Sequence, residues 1–114
     1  MKHIMKLRSA PFSMIKSGKK TIELRLYDEK RRRISVGDEI EFVSMEDESQ
    51  TLHCKVENMH IFPSFDALYQ HLPLLQCGYT EKDIGAASPF DMEAYYSQEQ
   101  QARYGVVGIQ IKLI

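Results

Sequence analysis

A chain of 114 residues, 43% hydrophobic and 27% charged, suffices for a single core and is short for two. It contains no run of about 18 apolar residues, which argues against a membrane span, and Met1-Lys2-His3-Ile4-Met5-Lys6 lacks the apolar stretch of a signal peptide. The net charge of -1 hides an asymmetry: eleven Lys and Arg against three acids through Arg33, then four against thirteen. A basic first third suits a surface facing a polyanion, unless folding interleaves the two regions. Cys54 and Cys77 lie far apart with no Cys-x-x-Cys pair, which fits a reducing, cytoplasmic setting with both thiols as packing groups.

In chain order, His3 to Leu7 alternates as a strand with Met5 and Leu7 inward. Ser9 is placed to cap a short helix, Pro11 suits its first turn, and Phe12 and Ile15 form its buried stripe through Ser17. Gly18 ends that helix. The next strand puts Ile22, Leu24 and Leu26 on one face and Thr21, Glu23, Arg25 and Tyr27 on the other. Asp28 to Arg33 is six charged residues in succession and reads as an exposed loop or strand end. Val36-Gly37-Asp38 is a turn before the strand Glu39 to Val43, with Ile40 and Phe42 inward; Glu46 to Ser49 connects a hairpin. Thr51 to Phe62 is a long strand with Leu52, Cys54 and Val56 on one face. Asn58 marks a bend or bulge, His53 points out, and His60 joins the inward set. Ser64 caps a helix from Phe65 to His71. Leu72 to Leu75 begins a helical turn closed by Gly78, Pro89 begins a helix containing Met92, Tyr95 and Tyr96, and Ser97 starts another. Gly105 interrupts, and Val106 to Ile114 is the last strand, alternating at Val107, Ile109, Ile111 and Leu113. With no repeat or linker, residues 1–114 read as one domain of mixed β and α structure.

A polar face on an antiparallel strand is by default the wet side of the sheet. Lys20, Glu23 and Arg25 nevertheless form either an ion-pair network or a ligand site. Flanking cations keep Glu23 ionised, the carboxylate suits an exocyclic amine, and the cations suit carbonyl or phosphate oxygens. That mixture fits a nucleoside or nucleotide. Tyr95, Tyr96 and Tyr104 are available to stack on bases or to fill the core. Arg31-Arg32-Arg33 either contacts phosphates or lies in a solvated loop. The histidines and cysteines lack zinc spacing, and no Walker loop, dinucleotide fingerprint or G-x-S-x-G elbow occurs, so neither metal nor cofactor is expected.

Gly18, Lys20, Glu23 and Arg25 form a G-x-K-x-x-E-x-R pattern that resembles the signature of the ASCH domain family, relatives of the PUA domains. The surrounding order also resembles that family: strand and short helix before it, Arg33-x-Ser35-Val36-Gly37-Asp38 after it, and Tyr104-Gly105-Val106-Val107-Gly108-Ile109 near the end. The resemblance implies an α+β fold, a PUA-like mixed β-barrel with short peripheral helices, and a charged cleft for RNA, a nucleoside or a nucleotide. The ligand-binding residues expected on this reading are Lys20, Thr21, Glu23, Arg25, Arg33, Tyr95 and Tyr96. A second implication is enzymatic, since some small bacterial members resemble amidohydrolases acting on N4-acylated cytidine through a lysine, a threonine and a glutamate. Lys20 matches that lysine, but Glu23 stands where the threonine would be, with Thr21 two residues away. Their distal glutamate has only Glu93 and Glu99 as counterparts. Any catalysis would then fall to Lys20 and Glu23 as an acid–base pair. A third reading is a protein-interaction domain using the acidic remainder of the chain. The oligomeric state is left open.

Overall fold

The computed structural model describes residues 1–114, and its strands follow the hydrophobic alternation closely. They are β1 (Lys2–Leu7), β2 (Ile22–Leu26), β3 (Glu39–Ser44), β4 (Thr51–Phe62) and β5 (Val106–Leu113). One mixed sheet has the order β1-β3-β4-β5-β2, with β1 parallel to β3 and every other pair antiparallel. It curls into a half-barrel, the α+β, PUA-like arrangement expected. Four short helices flank it: α1 (Ser9–Lys16), α2 (Glu29–Arg32), α3 (Phe65–His71) and α4 (Gln98–Tyr104). Three 3-10 turns, Leu74–Gln76, Ile84–Ala86 and Pro89–Ala94, carry the chain between α3 and α4. None of these helices is long and apolar enough to cross a membrane.

Two apolar cores lie on opposite faces of the sheet. The first packs Phe12 and Ile15 of α1 against Met5, Ile40, Phe42, Val56 and Ile109. The second packs Phe65 and Leu68 of α3 and Met92 against Ile22, Leu24, Leu26 and Val106. Strand β5 serves both, which is why Val106-Val107-Gly108-Ile109 is buried without alternation. Gly108 leaves room for the second core, since a Cβ there would meet Leu72 Cδ1 at 2.6 Å.

Strand β2 is likewise covered on both faces. Glu23 and Arg25 stand opposite Ile109 and Val107, on the side of the first core, so the face expected to be wet lies inside the half-barrel. The edges β1 and β2 face one another across the open seam, where Arg25 Nη2 donates to the Lys6 carbonyl at 3.1 Å.

Several local expectations change. Arg8, not Ser9, is the N-cap of α1, and its side chain makes no capping bond. Pro11 still falls in the first turn, where its missing N–H has no helical partner. The charged run is neither loop nor strand: Asp28 accepts from Arg31 N at 3.1 Å and caps α2. A register shift between Val56 and Asn58 inverts the phase of β4. Met59 then joins the first core, and His60 turns to the other face to bond Gln110 Oε1 at 2.9 Å. The helix begun by Pro89 is 3-10 and ends at Ala94, so Tyr95 and Tyr96 lie just beyond it.

Candidate functional site

The start of β2 is fixed by its backbone. Gly18 leaves α1 with φ +82°, Lys20 N donates to Met14 O at 3.0 Å, and Thr21 N donates to Gln76 O at 2.9 Å. Lys20 Nζ therefore reaches Glu23 Oε1 at 2.7 Å, while Arg25 Nε and Nη2 both approach Glu23 Oε2 at 2.8 Å. Glu23 is only 4% exposed. Burial alone would push its carboxyl up, but Lys20 and Arg25 outweigh that and hold it below the usual range. Burial likewise pulls the Arg25 guanidinium down, and Glu23 more than offsets it, so the group stays charged. Two cations share one anion, and the cluster keeps one positive charge with N–H donors still unoccupied. Gly78, at φ +111°, lies against the Lys20 side chain; a Cβ there would stand 3.5 Å from Lys20 Cδ.

All three charged residues line a cavity of about 430 Å³ that also touches Lys6, Arg8 and Pro11 at the β1–α1 side of the seam. Its opposite wall comes from the irregular segment after α3, including Cys77, Tyr79, Asp83, Tyr95 and Tyr96. Tyr96 is stacked on Phe65, ring centroids 6.2 Å apart, and burial raises its hydroxyl pKa although Arg25 and Arg31 pull the other way. Tyr79 donates to Asp91 Oδ2 at 2.6 Å and meets the Tyr69 hydroxyl at 2.7 Å, which fixes that wall against α3. Asp83 accepts from Thr80 N and from its hydroxyl through Oδ1 alone. Burial pushes the Cys77 thiol up to about 11, leaving it protonated at neutral pH.

Of the residues expected to bind a ligand, Lys20, Glu23, Arg25, Tyr95 and Tyr96 come together in this cavity. Thr21 does not: its hydroxyl donates to Gln76 Oε1 at 3.1 Å, and it lines a separate hollow with Gln110 and Lys112. Arg33 is exposed and borders a shallow depression with Lys30 and Tyr104. Its neighbours are engaged elsewhere. Arg31 pairs with Asp28 at 3.0 Å, and Arg32 bonds the carbonyls of Tyr27 and Tyr104 with its guanidinium over the Tyr27 ring. Glu93 and Glu99 are exposed and outside the cavity; Glu93 accepts from Gln98 at 2.9 Å. No group of three or more His, Cys, Asp or Glu side chains is placed to hold a metal ion. Sequence reading passed over Arg8, Tyr79 and Asp83. For Tyr79 one signal was available: it follows Gly78, the residue that closes the turn facing Lys20.

Comparison with known proteins agrees with this architecture. The crystal structure of hypothetical protein PH0355 is 34% identical, with both chains fully covered and a TM-score of 0.81. The solution structure of protein PF0455 from Pyrococcus furiosus is 30% identical over 100% of this chain and 98% of that one, with a TM-score of 0.71. The crystal structure of ASCH from Zymomonas mobilis is 15% identical over 96% of this chain and 65% of that one; its TM-score of 0.64 shows a shared fold. No match is found among curated proteins. The family model described as ASCH domain matches residues 5–114, nearly the whole chain, and the protein belongs to the ASCH domain family.

Proposed function

We propose that the protein binds RNA or a nucleotide, and that one nucleotide unit enters the cavity at the seam between β1 and β2. One observation carries the reading: a buried lysine–glutamate–arginine cluster with an unbalanced positive charge lines a cavity that also contains aromatic rings. A volume of about 430 Å³ falls within the range of small-molecule sites, roughly 300–1,000 Å³. Both Glu23 oxygens already accept from cations, so the carboxylate's part is to hold Lys20 and Arg25 in place rather than to take an exocyclic amine. The unoccupied Lys20 and Arg25 donors suit carbonyl or phosphate oxygens, and the Tyr96 ring offers an apolar wall to a base. RNA binding is the role suggested for this family, and two free, buried cysteines accord with a cytoplasmic place of work.

Hydrolysis of an acylated cytidine fits the geometry less well. Thr21, the one hydroxyl within the motif itself, is outside the cavity and bonded to Gln76, and Glu23 is too fully paired to act as a free base. Calorimetric titration with ribonucleoside 5′-monophosphates and with N4-acetylcytidine, the latter also followed for release of acetate, tests both readings. Binding that weakens at least tenfold in Lys20→Met, without acetate release, is the expected result. Turnover by the wild type that Lys20→Met abolishes would replace the binding reading with the hydrolytic one.

A further inference from the structure

The cavity extends past the buried charges to a rim where Tyr95 is 59% exposed. Its neighbour Tyr96 is tilted from it by 52° at 6.5 Å, so the two rings do not cover one another, and only Tyr96 is anchored against Phe65. The Arg8 guanidinium lies over one face of the Tyr95 ring, 5.7 Å from its centroid. No carboxylate pairs with Arg8, unlike Lys20, Arg25 and Arg31, and its side chain leaves α1 uncapped. An aromatic ring more than half exposed, with an unpaired guanidinium over one face and the other face free, at the mouth of the cavity, has a direct chemical use. A ring face accepts any base, and a guanidinium binds a phosphate or stacks on a base.

We infer that Tyr95 and Arg8 form a second subsite, so that the protein takes two consecutive nucleotides of a single strand, the inner one enclosed and the outer base stacked on Tyr95. Arg8 then holds the phosphate that links them. A duplex cannot enter, because its bases are already stacked and paired with one another. This inference rests on the nucleotide-binding reading above and adds to it the strandedness and length of the ligand.

The test titrates the full chain with uridine 5′-monophosphate, with the dinucleotide pUpU, and with a blunt RNA duplex. The dinucleotide is expected to bind about tenfold tighter than the mononucleotide, near the lower end of one added stacking contact, and the duplex to show no such gain. Tyr95→Ala should bring the dinucleotide-to-mononucleotide ratio to about one, while Tyr95→Phe, which keeps the ring, preserves it. Arg8→Ala should lower the salt dependence of dinucleotide binding by roughly 0.7 in log–log slope, the share of one single-strand phosphate. Equal affinities for the two ligands, or a ratio untouched in Tyr95→Ala, would overturn the second subsite and leave the inner site standing. Failure of every nucleotide to bind would overturn both.

Discussion

Inside the half-barrel, the Glu23 carboxylate is stable as an anion because Lys20 and Arg25 meet it from two sides. Glu23→Gln removes the anion and leaves two cations buried together, which should lower stability by about 3–5 kcal/mol in urea unfolding at pH 7. The sign of its pH dependence follows from its lowered pKa. The native state holds the proton less tightly than the unfolded chain, so the stabilisation is present above about pH 4.5, the ordinary value, and lost as pH falls below it. The variant should therefore lose less stability than the wild type between pH 7 and pH 4. The remaining acid limb, common to both proteins, comes from Asp38, held at about 2 by its bonds to His3 and Ser35 N, and from Asp47 and Asp91, held below the ordinary range by hydrogen bonds from Ser49 and Tyr79. Identical pH profiles would show that Glu23 is not the stabilising anion. The spacing of Lys20, Glu23 and Arg25 was legible in the sequence, but their burial was not. Alternation assigns faces without saying what covers them, and the cover here comes from β1 across the seam and from the segment that carries Cys77, Gly78 and Tyr96.

Among the elements, the long alternating strands were the legible part, because Ile40, Phe42, Cys54 and Val56 repeat with the period of a pleated sheet. Helix α2 was hidden by its composition. Six charged residues suggest solvent, yet Asp28 supplies a cap and Arg32 tethers the helix to the ends of β2 and α4. That division yields a prediction within one run. Arg32→Ala loses two hydrogen bonds to backbone carbonyls and the Tyr27 stack and should lower stability by about 1–2 kcal/mol. Arg33→Ala, at an exposed position, should stay within about 0.5 kcal/mol of the wild type. Thermal unfolding of the two variants side by side checks it, and equal losses would contradict the role given to Arg32. The segment from Leu74 to Ala94 was harder to read because its three 3-10 turns are too short to show a period. That segment forms the cavity wall that sequence reading left incomplete.

At the scale of the molecule, the basic first third is not one patch. Lys6, Arg8, Lys20 and Arg25 converge on the cavity from β1, the start of α1 and β2, whereas Arg31 and Arg32 are tied up in structure. Topology is what gathers the first group. With β1 and β2 at opposite ends of the strand order, the curl of the sheet brings them face to face, and Arg25 donates to the Lys6 carbonyl across the seam. The charge asymmetry was visible in the sequence, but its sorting into cavity and scaffold depends on this closure. The most direct test of the account is a backbone-amide NMR titration of the isotope-labelled protein with a ribonucleoside 5′-monophosphate. The account predicts saturable shifts centred on Lys20–Arg25, Cys77–Asp83 and Tyr95–Tyr96, absent in Lys20→Met. Shifts confined to Lys30, Arg33 and Tyr104, or no saturable shifts at any site, would contradict it.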